Sequence, residues 1–141
     1  MKLDICSLGN AIVDVQFSIN EGFISKLQNR SIHKGSMTLI EQRDQEDLIE
    51  LLRHKYEEPI LACGGSVTNS IIAAASFGSK CHVACKVSND EHGNFFLEDL
   101  TTNKINHSVI ATKSNLPTGR CLVMVSEDAE RTMCTLSLIH I

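Results

Sequence analysis

The chain has 141 residues, of which 43% are hydrophobic and 21% charged, and its formal net charge is −4. This length suits about one domain of ordinary size with a real hydrophobic core. The mild acidity, the lack of a basic stripe and the absence of Trp argue against nucleic-acid binding. No run approaches the ~20 apolar residues of a membrane helix. Because the N-terminus shows no long apolar signal segment, we expect a cytoplasmic protein.

The six cysteines are scattered through apolar stretches and include no C-x-x-C pair. Two of them lie four residues apart in a predicted strand, which separates them by about 13 Å, too far for a disulfide. The histidines show no H-x-x-x-H spacing, so a zinc site is not expected. We therefore predict buried, reduced thiols at Cys6, Cys63, Cys81, Cys85, Cys121 and Cys134.

The first part of the chain reads as short extended segments and one short helix. Residues 3–8 are an apolar run typical of a central strand, and residues 12–19 alternate roughly between apolar and polar types. Residues 21–27 are predicted to form a helix because Asn20 is a suitable N-cap. Residues 35–40 suit another short strand.

Helices and strands then alternate. Residues 44–54 predict an amphipathic helix whose carboxylates face water. Residues 60–63 predict a strand, and residues 66–77 predict a mostly buried helix. Gly78 suits the residue that ends such a helix, because glycine takes positive φ without strain.

The remaining segments continue this alternation and end in a hairpin. Residues 80–87 predict a strand, residues 90–102 an amphipathic helix and residues 108–111 a short extended segment. Residues 121–125 and 132–136 look like the two strands of a hairpin joined by a polar loop. Strand–helix alternation from residue 59 onward predicts a parallel α/β sheet.

Four extended segments do not fit that alternation. We expect them to pair with each other as a separate small antiparallel sheet. They comprise about residues 12–19, 35–40, 119–125 and 131–136.

The junction between the predicted strand at residues 60–63 and the helix that follows carries the glycine pair Gly64 and Gly65. Two glycines let the backbone approach a ligand closely, and the helix directs unpaired N–H groups at the turn. A ligand site and a plain tight turn both remain open from this stretch alone, because short glycine motifs are weak without context.

Six short motifs follow one another through the chain: GNAIVD at 9–14, GSMTL at 35–39, GGSVTN at 64–69, VSNDEHG at 87–93, PTG at 117–119 and ERTM at 130–133. Their order and spacing resemble the PfkB (ribokinase-like) family of sugar and nucleoside kinases over about residues 3–136. The ending AERTM looks most like the adenosine-kinase-like branch. Residues 138–141 do not continue the pattern.

The resemblance implies a doubly wound, mostly parallel α/β fold with a lid of antiparallel strands. Residues 1–141 would be the N-terminal, substrate-side part of such a kinase, and the four misfit segments would be the lid. Family members use the lid to cover a sugar or nucleoside substrate and often to dimerise, so a homodimer through the lid strands is expected.

The resemblance also assigns substrate contacts. Asp14 would hold hydroxyls of a sugar or ribose, with Asn10 beside it. Gly64 and Gly65 would be the hinge and close-contact pair, and Asn69 would hydrogen-bond the sugar. The alternatives are that Asp14 is a strand-end turn residue and that Asn69 only belongs to the first turn of a helix.

Four further residues would lie at or near the inner surface of the lid. They are Gly35, Gly119, Arg120 and Arg131. The alternative for the two arginines is a solvent-facing position across neighbouring strands.

The sequence departs from the family pattern in two ways. Val67 replaces a usually small residue and Ser88 replaces a usual glycine. The family's second signature, a D-T-x-G-A-G-D type segment with the catalytic Asp and the anion hole, has no match here. We therefore expect ATP and Mg²⁺ to serve the parent enzyme, neither to bind this chain, and the chain alone to be inactive.

Two other functions compete with a kinase fragment. The first is a non-catalytic module that binds a sugar or nucleoside, or that dimerises through its lid. The second, a dinucleotide-binding oxidoreductase, is disfavoured because Gly64 and Gly65 do not form G-x-G-x-x-G.

Overall fold

A computed structural model describes residues 2–112 and 116–136, with the backbone alone for residues 111 and 112, so residues 138–141 lie outside the described part. The chain divides into two compact units. The first contains residues 2–13, 62–112 and 116–119, and the second contains residues 14–61 and 120–136. The strands are β1 (Ile5–Leu8), β2 (Ile12–Ser18), β3 (Met37–Ile40), β4 (Ile60–Gly64), β5 (Cys81–Ser88), β6 (Asn106–Thr112), β7 (Gly119–Val125) and β8 (Arg131–Leu136). The helices are α1 (Glu21–Leu27), α2 (Gln42–Lys55), α3 (Ser66–Ser76) and α4 (Glu91–Thr102), with a 3₁₀ turn at Gln28–Arg30.

The first unit is built on a parallel three-stranded sheet in the order β1-β5-β6. The central strand β5 alternates in burial, with Cys81, Val83 and Cys85 buried and the residues between them less so. Helices α3 and α4 contact these strands, and Phe96 and Leu100 of α4 are fully buried. The alternation therefore turns one face of the sheet toward the helices.

Local sequence explains where the helices begin and end. Asn20 accepts a hydrogen bond from the Phe23 amide at 3.1 Å, which caps α1 as predicted. Asp90 caps α4 in the same way. The glycine at the end of α3, Gly78, has a φ of +92°, as the sequence predicted for the residue that ends this helix.

The second unit contains a five-stranded sheet in the order β3-β8-β7-β2-β4. Strands β7 and β8 form the predicted antiparallel hairpin. One face of this sheet contributes Val15 and Phe17 of β2 to a core that also takes in α1 and α2. The buried members of this core are Val15, Phe17, Ile19, Phe23, Ile24, Leu27, Ile32, Leu48, Ile49, Leu52, Leu122, Met124 and Cys134.

Two expectations about the sheets were wrong. The four misfit segments do share one sheet, but it is mixed rather than antiparallel, because β3 pairs parallel to β8. No tight turn joins these two strands, so nothing local forces an antiparallel pairing. The strand predicted at residues 60–63 is β4, and it lies at the edge of the mixed sheet instead of in the parallel sheet. Its exposed first residue, Ile60, fits an edge position.

The predicted burial of the thiols holds for five of the six cysteines. The exception is Cys6, which is exposed on β1 at the edge of the parallel sheet. Burial raises the pKa of the Cys85 thiol to about 11. Burial also raises the pKa of the Cys134 thiol to about 11, and nearby Cys121 makes a smaller contribution in the same direction. These thiols therefore stay protonated at neutral pH and are weak nucleophiles.

The described residues contain neither a candidate membrane-spanning helix nor a candidate metal site. Within residues 2–112 and 116–136, no helix is long and apolar enough to cross a membrane. Over the same part of the chain, no group of three or more His, Cys, Asp or Glu side chains could hold a metal ion.

Candidate functional site

A polar face on the mixed sheet carries two of the predicted site residues. In β2, Val13, Val15 and Phe17 are buried, so the alternating residues Asp14 and Gln16 lie on the opposite face of the strand. The remaining members come from the β7–β8 hairpin, on the side away from Leu122 and Cys134 of the core. We call this set the polar face, and it consists of Asp14, Gln16, Cys121, Arg131 and Thr135.

Asp14 and Arg131 are electrostatically coupled. Burial raises the pKa of the half-buried Asp14 carboxyl above its usual value of 3.8, and the positive charge of Arg131 offsets part of that rise. Arg131 is exposed at the start of β8, and its Nη2 donates to Oε1 of Gln16 at 3.5 Å. A carboxylate acceptor and a guanidinium donor thus share one surface. The carboxylate can accept hydrogen bonds from the hydroxyls of a polyol, and the guanidinium can donate to hydroxyl or phosphate oxygens.

Two further groups complete the polar face. Thr135 Oγ1 donates to the Sγ of Cys121 at 3.2 Å. Burial raises the pKa of the Cys121 thiol; the Thr135 hydrogen bond opposes this rise, and the charge of Asp14 adds to it.

Gln16 also lines a cavity of about 560 Å³. The other residues around that cavity are Ser18, Lys55, Tyr56, Glu57, Glu58 and Ile60.

The glycine pair forms a close-packed turn in the first unit. Gly64 is buried at the end of β4, and Gly65 precedes α3 with a φ of +92°. A Cβ atom at Gly65 would lie 3.0 Å from the backbone oxygen of Asn10. The carbonyl of Gly65 also accepts the amide of Asn69 at 3.0 Å. Gly65 therefore has the positive φ that glycine allows, and its neighbours include the backbone of Asn10 and of Asn69.

The start of α3 is also tightly packed against the loop after β1. A Cβ atom at Gly9 would lie 2.6 Å from the Cβ of Val67, the residue that replaces a small one in the family pattern. A cavity of about 290 Å³ lies beside this contact. Its lining residues are Ile5, Ser7, Ser66, Val67, Ser70 and Ile71.

Gly35 lies in the second unit, two residues before β3. Its φ is +73°, and its amide donates to Thr132 Oγ1 at 3.1 Å. A Cβ atom there would lie 2.7 Å from Oε1 of Glu130, so the space beside this residue is filled. Gly35 is thereby fixed against the start of β8, the strand that begins with Arg131.

Arg120 does not join the polar face. Strand alternation places it on the side of β7 opposite Cys121, and its Nη2 donates to Oε1 of Glu46 in α2 at 3.1 Å. Its carbonyl accepts Nε2 of the buried Gln45 at 3.1 Å. Arg120 is 8% exposed, so it is not a solvent-facing residue either. Its neighbour Gly119 is buried as the first residue of β7.

Sequence reasoning missed part of the polar face. Gln16, Cys121 and Thr135 were not singled out, although the alternation in β2 places Gln16 on the same face as Asp14. The other two depend on the register of the hairpin, in which Cys121 faces Thr135. The sequence predicted this hairpin but not its register, so it did not show which residues pair across it.

Comparison with known proteins shows what this chain is similar to. A probable sugar kinase from Rhizobium etli CFN 42 is 30% identical with a TM-score of 0.78, and the match covers 95% of this chain and 38% of that one. An adenosine kinase from Sinorhizobium meliloti is 33% identical with a TM-score of 0.76, covering 96% of this chain and 39% of that one. Both the predicted ribokinase-like fold class and the predicted family relationship are confirmed by these neighbours.

A mouse (Mus musculus) ribokinase is 30% identical over 73 residues, which are 52% of this chain and 23% of the relative. The chain thus spans less than half the length of the proteins that it matches. The pfkB family of carbohydrate kinases matches residues 37–137. This match extends over more than half of the sequence, so the chain belongs to the pfkB family of carbohydrate kinases.

Proposed function

We propose that this chain is the N-terminal, substrate-side part of a cytoplasmic, ATP-dependent kinase that phosphorylates a hydroxymethyl group of a sugar or nucleoside. The observation that carries the proposal is that Asp14 and Arg131 lie on one face of a sheet, where Arg131 hydrogen-bonds Gln16 of the same strand as Asp14, in a chain that belongs to a carbohydrate kinase family. The kinase neighbours support both substrate classes, because one is a probable sugar kinase and another an adenosine kinase.

The polar face suits recognition of a polyol. The carboxylate of Asp14 accepts hydrogen bonds from two adjacent hydroxyls, and the guanidinium of Arg131 donates to a hydroxyl or phosphate oxygen. Burial makes such contacts stronger than they would be in bulk water, because the effective dielectric is lower. Asp14, which is half-buried, is therefore the proposed main substrate contact.

The first unit is proposed to contribute backbone contacts. The turn at Gly64 and Gly65 allows close approach to a ligand, and the amides at the start of α3 point toward that turn. Asn10 and Asn69 are exposed, have backbone atoms close to Gly65, and are proposed to supply amide donors and acceptors. Gly35 and Gly119 are proposed to shape the strands of the lid, while Arg120 acts from the opposite face by tying β7 to α2.

Phosphoryl transfer itself is assigned to the whole kinase. The catalytic Asp and the anion hole of the family signature have no match in the sequence. ATP and Mg²⁺ are therefore proposed for the parent enzyme and not for this chain. We expect the 141-residue chain to show no ATP-dependent phosphorylation of a sugar or nucleoside.

Ligand binding by the chain tests the proposed site. Titration calorimetry would use D-ribose, D-fructose and adenosine with the wild-type chain and with Asp14→Asn. The substitution removes a charged acceptor at nearly constant shape, so affinity for the best ligand should fall by about tenfold or more.

The matched control is Asp47→Asn, at an exposed position on α2. This variant should bind like the wild type. Equal affinity in Asp14→Asn and the wild type would remove Asp14 from the substrate site, and no binding of any probe by the wild-type chain would count against the binding function.

A homodimer through the lid is the second proposed property. Met37 and Leu39 of the edge strand β3 are 62% and 59% exposed, and their register places them beside Met133 and Thr135 on the same face as Arg131. An exposed apolar edge strand favours pairing with another copy. Sedimentation velocity should therefore show a dimer that dissociates in Leu39→Lys.

The matched control for the dimer is Leu51→Lys, because Leu51 is also partly exposed but lies on α2. It should leave the sedimentation coefficient unchanged. A wild-type chain that stays monomeric as its concentration increases would contradict the dimer, and it would leave the proposed substrate site unaffected.

A further inference from the structure

Two segments contain residues that have no role in the proposed site, yet the fold brings them together. One runs from the last residue of β5, Ser88, through Asp90 to Gly93 in the first turn of α4. The other is the segment before β7, which contains Thr118. All four residues belong to the first unit, and the chain passes into the second unit directly after Gly119.

The carboxylate of Asp90 makes three short hydrogen bonds in this cluster. Its Oδ1 accepts the Gly93 amide at 2.7 Å, which is the helix cap of α4. The same oxygen accepts the Thr118 hydroxyl at 2.7 Å, and Oδ2 accepts the Thr118 amide at 2.7 Å. Capping α4 requires only the hydrogen bond from the Gly93 amide. The two hydrogen bonds from Thr118 therefore do something else: they hold the segment before β7.

Thr118 extends this network into β5. Its Oγ1 accepts the Ser88 amide at 2.9 Å, while its proton goes to Asp90. The Ser88 hydroxyl donates in turn to the carbonyl of Leu116. Ser88 and Thr118 are 5% and 1% exposed. The serine that departs from the family pattern therefore adds a further bond to the segment before β7.

Because Gly93 has no side chain, there is room beside it for this hydrogen-bond network. A Cβ atom at Gly93 would lie 2.1 Å from the Ser88 carbonyl oxygen and 3.0 Å from Thr118 Oγ1. Burial alone would raise the pKa of Asp90, but the hydrogen bonds from Thr118 and Gly93 and the nearby His92 outweigh it and lower the pKa. The carboxylate is therefore ionised at neutral pH and accepts all three bonds as a charged group.

We propose that Asp90 is a positioning residue for β7, because it fixes Thr118 and so sets where the chain begins the strand that carries Cys121 of the polar face. This inference rests on the proposed function in one respect, namely that β7 contributes to a substrate-binding lid. The hydrogen-bond network itself does not depend on the identity of the substrate.

The sharpest test separates this role from simple helix capping. Serine is also a good N-cap residue, but a single hydroxyl cannot replace a carboxylate that accepts both bonds from Thr118. Amide hydrogen exchange by NMR would compare the wild-type chain with Asp90→Ser and Thr118→Val. Both variants should exchange roughly 10- to 100-fold faster at the Ser88 amide, as expected for a lost bond to a charged group or its hydroxyl partner.

The positioning role predicts more than faster exchange in that turn. Asp90→Ser should also increase exchange at the first amides of β7 and the rate at which a thiol reagent labels the buried Cys121. Thr118→Ser, which keeps the hydroxyl, should restore wild-type behaviour. Glu91→Gln, at the exposed neighbouring position in the first turn of α4, is the matched control and should change neither readout.

Each outcome decides the proposal. Wild-type exchange at Ser88 and Thr118 in Asp90→Ser would mean that Asp90 only caps α4, and it would overturn the inference. Faster exchange confined to that turn, with β7 and Cys121 unchanged, would also overturn it. If Asp90→Ser unfolds, Thr118→Val gives the same decision. Failure of the wild-type chain to bind ribose, fructose or adenosine would count against the proposed function alone, because these readouts need no ligand.

Discussion

In the first unit, the candidate site is made of backbone: Gly65 has a φ of +92°, and the oxygen of Asn10 lies 3.0 Å from the position that a Cβ would take. In the second unit, the candidate site is made of side chains, with the charges of Asp14 and Arg131 coupled on one sheet face. In the first arrangement an added atom crowds the neighbouring backbone. The second tolerates changes of shape but responds to changes of charge, pH and salt.

The sheets that support the two candidate sites also differ. The parallel sheet of the first unit is covered by α3 and α4 on one face, whereas Lys86 and Ile110, which pair in register, are exposed on the other. The second unit packs one face of its sheet against a cluster of buried aliphatic and aromatic side chains.

The two cores can be tested with one substitution each. Phe17 of the second unit and Phe96 of the first are 1% and 0% exposed. Replacing either by Ala should lower the free energy of unfolding by about 3–5 kcal/mol through lost burial and a residual cavity. Urea unfolding followed by circular dichroism measures the loss, and native-state hydrogen exchange shows which unit loses protection.

Phe77→Ala is the control for both, because Phe77 is 92% exposed and its replacement should change stability by less than about 0.5 kcal/mol. If Phe17→Ala and Phe96→Ala each removed protection equally from both units, the two units would unfold as one, and the contrast between them would not extend to stability.

The backbone site can be tested by adding one methyl group. Gly65 and Gly78 share a φ of +92°, but a Cβ at Gly78 meets no described atom within 4 Å. Gly78→Ala should cost about 1–2 kcal/mol for the backbone conformation alone. Gly65→Ala should cost at least about 1 kcal/mol more, because the methyl group also crowds the Asn10 carbonyl. Thermal unfolding of the two variants in parallel gives this difference, and equal losses would show that the close approach carries no penalty.

The charged site can be tested by pH. The pKa of Asp14 is raised in the folded chain, chiefly by burial. Folding is therefore penalised as pH rises from the usual value of 3.8 through the folded pKa, where the buried carboxyl ionises. Asp14→Asn should match the wild type well below that window and be the more stable protein at neutral pH. Urea unfolding at successive pH values measures the difference, and a variant that is less stable at neutral pH would contradict the assigned direction.

The smallest effect is expected at the exposed end of the second unit. Lys34 Nζ lies 2.6 Å from Oε1 of Glu21 and 2.6 Å from Oδ2 of Asp128. The Lys34 hydrogen bond lowers the pKa of Asp128 below its usual value of 3.8. Asp128→Asn should therefore lose stability at neutral pH and match the wild type in strong acid, the opposite of Asp14→Asn. Its loss should shrink in molar salt, because exposed charges are screened, and a loss independent of salt would indicate another cause.

The sequence predicted the elements of the fold better than their arrangement. Periodicity, the Asn20 cap and Gly78 locate the helices, since these signals act within a few residues. The choice of sheet for β4 was wrong because an apolar run marks a strand without naming its neighbour. The parallel pairing of β3 with β8 joins residues almost a hundred positions apart and has no local signal.

The candidate site shows the same limit at the level of single residues. Asp14 and Arg131 fall on one face, whereas Arg120 lies on the other, because neighbouring strand residues point to opposite faces. A family motif places a residue in a strand but does not state its face. The network around Asp90 was equally hidden, because its two halves lie in separate motifs and meet only in the folded chain.

The contact between Gly9 and Val67 links two positions that are far apart in the sequence. Each branched methyl group of Val67 occupies volume that a side chain at position 9 would need. Shortening Val67 to alanine would not free that volume, because the atom nearest to an added Cβ at position 9, at 2.6 Å, is the Cβ that alanine keeps. A side chain at position 9 would thus be purged by selection whether valine or alanine occupies position 67, so the glycine should persist in lineages where position 67 varies between these two residues.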